Sequence, residues 1–248
     1  MKSKVKREKL PRFMSIIITI DGPAGSGKST VAKRLARELR IPYIDTGAMY
    51  RSVAYRALQQ SISLDNEEDL LKIAENLSFR FELDEQAFRI YVKASSDDQE
   101  KLLGPEIRSP EVSMGASQIA QYGKLRACLV AKQQQIGRRN GGVLEGRDAG
   151  TVIFPDAPIK FFLTASAEVR AERRYIELKN RMGEETPSFE KVLDDVNLRD
   201  QQDQNRQASP LKPAPDAIIV DTSGLDENGV FDILLEKIQK IQASQSFK

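Results

Sequence analysis

The chain has 248 residues, enough for one large domain with an ample core, and its 38 lysines and arginines nearly balance its 36 acidic residues. It contains no histidine and a single cysteine, Cys128. This composition excludes histidine-ligated zinc, histidine-based triads and an intramolecular disulfide, so any chemistry has to use carboxylates, lysine, arginine and backbone donors.

Positive charge is concentrated at the N-terminus, where six basic side chains within residues 1–13 stand against Glu8 alone. The rest of the chain is nearly neutral, so its charge gives no reason to expect a nucleic acid as partner. No apolar run near the N-terminus is long enough to span a bilayer or to act as a signal sequence. We expect a basic disordered tail over 1–13 and a folded domain over 14–243, in a cytoplasmic protein that binds no membrane.

Strands and helices alternate through the first part of the folded domain. The apolar run from Ile16 to Ile20 is typical of a strand buried on both faces, and apolar residues then recur at helical spacing from Val31 to about Arg40. The pattern continues with a strand over 41–45, a helix over 48–60 and a helix from about Glu67 that Asp65 caps.

The hydrophobic period changes from helical to alternating at about residue 77. Phenylalanines alternate with polar residues up to Leu83, and after the turn at Asp84 the alternation resumes from Phe88 to Val92. This pattern predicts an antiparallel hairpin within a subdomain inserted at about 77–110.

The second half returns to helices and short strands. Helical sequence runs to about Arg139 with a break near Gly123, Ser166 caps a further helix, and Pro187 is placed at the first position of the next one. The polar segment at about 180–187 is a candidate moving lid. Strands are predicted over 142–145, 159–163 and 217–220, with Asp221 as a turn former and a closing helix over 230–241. The predicted fold is α/β, a five-stranded parallel sheet flanked by helices.

A phosphate-binding loop follows the first strand. Residues 22–29 satisfy the pattern G-x-x-x-x-G-K-[ST] between a buried strand and an amphipathic helix, which is the context of a P-loop NTPase. Lys28 would hold the β- and γ-phosphates of ATP, and the Ser29 hydroxyl would contribute to a Mg²⁺ site. The predicted ATP-binding residues are Gly22, Pro23, Ala24, Gly25, Ser26, Gly27, Lys28, Ser29 and Thr30.

Two further segments resemble those of bacterial cytidylate kinases. Residues 45–51 have the sequence D-T-G-A-M-Y-R and match D-[ST]-G-A-x-Y-R, and residues 145–158 are similar to that family's G-R-D-x-G-T-V-V-F-P-x-A-x segment. The resemblance covers about 15–241. It implies ATP-dependent phosphorylation of CMP and dCMP, an inserted NMP-binding subdomain and a short lid. In the insert, the segment at 95–105 is longer than the corresponding turn of the family. The sequence therefore leaves open whether the insert has a third strand.

Arginine supplies the bidentate, permanently charged donors that a dianionic acceptor phosphate needs. The resemblance assigns Arg51 and Arg147 to the acceptor, and Arg199, Asp203 and Arg206, spaced to share one helix face, to its sugar, base and phosphate. Arg174 is the predicted catalytic arginine beside Lys28 and Arg147, although Arg170, Arg173 and Arg174 are each equally well explained as solvated helix arginines. The remaining predicted substrate-binding residues are Thr46, Ser117, Arg126 and Asp148.

The resemblance assigns Ser117 and Arg126 to cytosine recognition. Asp148 would complete the base pocket, because a carboxylate accepts from the amino group of cytosine and not from the carbonyl of uracil. We expect Mg²⁺ as cofactor with ATP, and a monomer. Two alternatives stay open. One is a kinase that acts on UMP and CMP together or on a non-nucleotide acceptor; the other is an ATP-dependent nucleic-acid-binding switch that uses the basic tail.

Overall fold

A computed structural model describes residues 16–84, 87–94 and 99–245. Five parallel strands form one sheet with the order β2-β6-β1-β7-β8, and three antiparallel strands form a second sheet with the order β3-β4-β5. This confirms the predicted fold class. The strands are β1 (Ile17–Asp21), β2 (Tyr43–Asp45), β3 (Ser78–Leu83), β4 (Phe88–Lys93), β5 (Lys101–Leu103), β6 (Gly142–Gly146), β7 (Ile159–Thr164) and β8 (Ile218–Asp221).

Eight α-helices are described in these ranges, and they cover both faces of the parallel sheet. None of them is long and apolar enough to cross a membrane. Short 3₁₀ turns occupy Pro105–Arg108 and Gly183–Glu185, and a single π-helical turn occupies Ala149–Ile153. The helices are α1 (Lys28–Leu39), α2 (Thr46–Gln59), α3 (Glu67–Asn76), α4 (Pro110–Ile119), α5 (Gly123–Asn140), α6 (Ala167–Met182), α7 (Phe189–Gln204) and α8 (Glu227–Gln245).

The central strand β1 sets the position of the phosphate-binding loop. It pairs in parallel with β6 on one side and β7 on the other, and Ile18 and Ile20 are fully buried between helix layers. Apolar burial of this kind contributes about 1.5–3 kcal/mol per large side chain. Gly22 follows with φ at 144°, and a Cβ there would overlap the carbonyl oxygen of Leu163 on β7. Only glycine allows the chain to turn so close to the neighbouring strand.

The hairpin β3–β4 packs through its apolar face on α2–α5. The third strand left open by the sequence does form: β5 pairs antiparallel to β4, with Tyr91 opposite Leu102. The predicted break between α4 and α5 is also present, since α4 ends at Ile119 and α5 begins at Gly123. The basic tail over 1–13 lies outside the described residues.

Several predicted boundaries were wrong. Helix α3 begins at Glu67 as predicted, but Asn66, the residue immediately before it, caps the helix by accepting from the Asp69 amide, and Asp65 does not. Ser188 caps α7, so Pro187 lies before the helix and not at its first position. Helix α6 extends through Met182, so most of the predicted lid segment is helical or 3₁₀.

Candidate active site

One cavity of about 660 Å³ lies at the carboxyl ends of β1, β2 and β6. The loops that follow parallel strands converge at this edge of the sheet, which is where α/β proteins bind ligands. The phosphate-binding loop forms one wall, and the start of α2, the turn after β6 and helices α4–α7 supply the others. Its lining includes all nine predicted substrate-binding residues: Thr46, Arg51, Ser117, Arg126, Arg147, Asp148, Arg199, Asp203 and Arg206.

The phosphate-binding loop presents an open helix N-terminus to the cavity. Gly27, at φ 86°, precedes α1, no side chain caps the helix, and its first turn contains no acid. Unpaired N–H groups and the helix dipole make such an end attractive to phosphate. Of the predicted ATP-binding residues, Ala24 to Thr30 line the cavity, whereas Gly22 and Pro23 lie behind it.

Lys28 points along the loop and is almost entirely buried. Its ammonium donates to the Pro23 carbonyl at 2.6 Å and to Ser26 Oγ at 3.4 Å. Burial, and after it the charge of Arg147, lowers the pKa of Lys28 well below its usual value. A bound phosphate would therefore remove a real electrostatic cost at this position.

Ser29 lies against a carboxylate from another strand. Its Oγ donates to Glu145 Oε1 at 2.7 Å, and Glu145 Oε2 is buried without a hydrogen-bond partner. Burial, and after it the charge of Asp45, raises the pKa of Glu145. Hydroxyl and carboxylate oxygens suit Mg²⁺. Within the described ranges no group of three or more acidic or cysteine side chains could hold a metal ion.

Four arginines face one another on the acceptor side of the cavity: Arg51, Arg147, Arg199 and Arg206. Burial, followed by the charges of neighbouring arginines, lowers the pKa of Arg199 to about 9 and that of Arg206, mainly by burial, to about 10. In the described part of the chain no acid pairs with Arg199, and its Nε has no hydrogen-bond partner. Such crowding of positive charge is costly unless an anion binds there.

Acidic side chains orient the other three arginines. Asp45 Oδ2 accepts from Arg51 Nη2 at 2.8 Å, and Asp203 Oδ2 accepts from Arg147 Nε at 2.7 Å. Asp203 also forms an ion pair with Arg206. The prediction that Arg206 extends from the helix face of α7 was wrong, because α7 ends at Gln204. The chain after α7 nevertheless places the Arg206 side chain against Asp203.

A second part of the cavity is suited to a nucleobase. Arg126 and Asp148, which are 4% and 6% exposed, form an ion pair, and Arg126 Nη1 donates to the Ala120 carbonyl at 3.0 Å. The Tyr50 ring lies 5.6 Å from the Arg126 guanidinium. Ser117 Oγ lines the same wall and donates to the Ser113 carbonyl at 3.3 Å. Three predicted recognition residues therefore come together on three different elements.

The three arginines of α6 have different surroundings. Arg170 is buried, pairs with Asp200 and donates to the Ala24 carbonyl, and Arg173 donates to the Thr222 carbonyl at 2.6 Å. Both therefore hold helix and loops together. Arg174 faces the cavity, and in the described part of the chain its one ion pair is with Glu177 of its own helix, at 2.8 Å. Among these three, it has the least constrained side chain.

Sequence reasoning assigned no role to several residues in or beside the site. Glu145 was identified only as the start of a motif, and Asp21, the residue after the first apolar run, received no role. Lys33 and Arg108 also line the cavity. Asp21 and Glu145 share one detectable signal, an acid that ends an apolar strand run next to a glycine.

Comparisons with known proteins show which family the chain resembles. The family model described as Cytidylate kinase matches residues 18–240. A cytidylate kinase of Clostridioides difficile (strain 630) is 42% identical over 90% of this chain and 98% of its own length. One of Desulfitobacterium hafniense (strain Y51) is 46% identical over 88% and 90%. A solved shikimate kinase from Bacteroides thetaiotaomicron covers 92% of this chain and 98% of its own, at 12% identity and a TM-score of 0.45. By the family model and these relatives, the chain belongs to the cytidylate kinase family.

Proposed function

We propose that this protein transfers the γ-phosphate of ATP to CMP and dCMP, producing CDP and dCDP. One observation carries the proposal: a single cavity contains a phosphate-binding loop, a cluster of four arginines and a buried arginine–aspartate pair beside a tyrosine ring. The first suits a triphosphate, the second an acceptor phosphate and the third a polar base edge. The family membership agrees with this assignment.

The reaction is an in-line attack by an acceptor phosphate oxygen on the γ-phosphorus of ATP. That oxygen is already anionic, so the enzyme needs no general base, and the lack of histidine is no obstacle. Lys28 binds the β- and γ-phosphates, Arg147 bridges donor and acceptor phosphates, and Arg174 neutralises the charge that develops on the transferred group. Positioning and charge neutralisation supply the rate enhancement.

Mg²⁺ fits the residues present. Ser29 Oγ and the unpartnered Glu145 Oε2 would hold it, directly or through water. When bound with ATP, the ion neutralises charge on the β- and γ-phosphates. The fold positions Ser29 and Glu145 together, because Glu145 lies at the end of β6, next to the start of α1.

On the acceptor side, Arg51, Arg199 and Arg206 bind the CMP phosphate and sugar together with Thr46 and Asp203. Asp148 accepts from the amino group of cytosine, while Arg126 and Ser117 complete recognition of the base. Uracil would place its O4 carbonyl against the Asp148 carboxylate, so two acceptors would face each other. We therefore expect a clear preference for CMP over UMP.

Movement accompanies the reaction in this proposal. The insert at about 77–110 and the lid at about 180–187 close over both nucleotides and exclude water, which would otherwise hydrolyse ATP. A contact suited to closure joins these segments, since Arg181 Nη1 donates to the Arg108 carbonyl at 3.0 Å. We further propose that the enzyme acts as a monomer in the cytoplasm, in pyrimidine nucleotide metabolism, and that residues 1–13 are dispensable.

A coupled assay of ADP formation tests the proposal, with CMP, dCMP, UMP, AMP and shikimate as acceptors. We expect strong activity with CMP and dCMP and much less with the others. Equal use of UMP would support a broader UMP/CMP kinase, and a preference for shikimate would overturn the assignment. A salt-dependent shift with RNA, without nucleotide kinase activity, would instead support the nucleic-acid-binding switch.

A further inference from the structure

Asp21, the last residue of β1, holds a segment that belongs to another strand. The Ala149 amide donates to its Oδ1 at 2.8 Å, and the Gly150 amide donates to its Oδ2 at 2.7 Å. Asp21 is only 4% exposed. Both carboxylate oxygens are therefore engaged by backbone N–H groups from a segment about 130 residues further along the chain.

These two amides begin the π-helical turn at Ala149–Ile153. The first N–H groups of a helical turn lack partners within it and usually need a capping side chain. Asp148, the residue before the turn, provides no such cap, and its side chain instead pairs with Arg126. Asp21, which is distant in sequence, caps these N–H groups instead, and the Asp148 side chain can therefore face the cavity.

The fit around the carboxylate is close on both sides. A Cβ on Gly150 would lie 3.4 Å from Asp21 Oδ2 and 2.8 Å from Thr19 Oγ1, and a Cβ on Gly146 would lie 3.4 Å from Asp21 Oδ1. The segment from 146 to 150 therefore packs directly against Asp21. A shift of the carboxylate or of the turn would therefore move the residues that lie between Gly146 and Ala149.

Those residues are Arg147 and Asp148. Burial raises the pKa of Asp21 to about 6 even though the two amides act to lower it, so keeping the group charged at neutral pH carries an energetic cost. An apolar side chain would avoid that cost but could not bind the two amides. The retained charge is consistent with a role in positioning the turn.

We infer that Asp21 is a positioning residue for acceptor specificity: by binding the Ala149 and Gly150 amides, it fixes Arg147 against the acceptor phosphate and Asp148 against the base. This inference rests on the proposed function of the cavity. It links the phosphate-binding loop, which begins at the next residue, to the base pocket. Loss of the carboxylate should therefore affect nucleotide choice, and not only stability.

The test compares Asp21→Asn with Thr19→Val. Asparagine has nearly the shape of aspartate but directs an N–H donor at one of the two amides. Thr19 is a matched control, because it is fully buried on the same strand beside the same turn and its hydroxyl has no hydrogen-bond partner. Thermal unfolding by circular dichroism checks the fold, and steady-state kinetics give KM for CMP and for ATP and the ratio of kcat/KM for CMP over UMP.

For Asp21→Asn we expect the KM for CMP to rise about tenfold and the CMP/UMP ratio to fall about fivefold, with the KM for ATP changed by less than about threefold. Thr19→Val should match wild type in both KM values and in the CMP/UMP ratio. An Asp21→Asn enzyme with an unchanged CMP/UMP ratio, including one that loses the same fraction of activity with both nucleotides, would overturn the inference.

A second variant covers the case in which Asp21→Asn does not fold. Gly150→Ala leaves the carboxylate in place, but its methyl group would lie 2.8 Å from Thr19 Oγ1; the turn must shift to relieve that contact, so this variant should also lower the CMP/UMP ratio. A folded Gly150→Ala enzyme with wild-type selectivity would count against the inference. Failure of the proposed function would be distinguishable, because the wild-type enzyme itself would then show no preference for CMP.

Discussion

Arg147 Nε donates to Asp203 Oδ2 at 2.7 Å, and this bond joins the turn after β6 to the last turn of α7. Asp203 is only 1% exposed and also pairs with Arg206. One buried carboxylate therefore orients two arginines that approach the acceptor side from different elements.

Replacing this carboxylate should weaken acceptor binding. In Asp203→Asn the two arginines lose their shared negative partner and repel each other, so we expect the KM for CMP to rise by about tenfold or more. The free energy of unfolding should also fall, by roughly 1–3 kcal/mol. Kinetics and urea unfolding measure both effects.

Asp195 provides a matched control on the same helix. Its ion pair with Lys191 at 3.0 Å is solvent-exposed on both sides, so Asp195→Asn should change stability by about 0.5 kcal/mol or less and leave the KM for CMP unchanged. Indistinguishable results for the two variants would show that Asp203 does not orient the acceptor arginines.

Lys28→Ala should abolish phosphoryl transfer while the protein stays folded. The variant loses a charged contact to the transferred phosphate, worth about 1.5–3 kcal/mol, so more than tenfold of the activity should disappear. It also loses the bonds to Pro23 and Ser26, whose effect on the melting temperature should be small. Lys72→Ala is the control, since Lys72 is exposed on α3 and forms an ion pair with the neighbouring Asp69. Retention of more than about a tenth of the activity in Lys28→Ala would contradict its role.

Much of the fold was accessible from local patterns. The apolar runs of β1, β6 and β7 mark strands buried on both faces, and alternation marks β3 and β4. The phosphate-binding loop follows from its glycines and their context. Helix boundaries were less accessible, because Asp65 and Asn66 can both cap a helix and tertiary packing decides which one does.

The roles of Asp21 and Glu145 could not be predicted, since their partners are distant in sequence. Asp21 binds amides at 149 and 150, and Glu145 accepts from Ser29. Only the register of β1 against β6, which pairs Asp21 with Gly146, brings these groups together. Residue spacing along the sequence does not show that register.

Asp21 should also give the protein a specific dependence of stability on pH. Its pKa is about 6 in the folded protein and 3.8 ordinarily, so between these values the folded state binds more protons than the unfolded state. The free energy of unfolding should therefore increase as the pH falls from 7 to 5, by about 1 kcal/mol from this group. No histidine titrates in this window. Urea unfolding at both pH values, for wild type and Asp21→Asn, measures the difference; identical pH dependence would contradict it.

Asp148 offers the most direct test of base recognition. It is buried and paired with Arg126, so its carboxylate is held in one place; in the proposed function it accepts from the amino group of cytosine. Asp148→Asn can present an amide donor to the O4 of uracil instead. We expect the kcat/KM for CMP to fall by about tenfold or more, and the preference for CMP over UMP to narrow.

Asp156 is the control for Asp148, because it belongs to the same 145–158 segment but is exposed to solvent and lies outside the cavity. Asp156→Asn should leave both nucleotides' kinetics unchanged. Sites built from paired polar groups can reject a mismatched analogue by factors of up to about 10⁴, although relaxation of Arg126 or an intervening water would reduce that factor here. If Asp148→Asn lowers activity with CMP and UMP equally, Asp148 does not contact the base, and the pocket formed with Arg126 and Ser117 must recognise another part of the nucleotide.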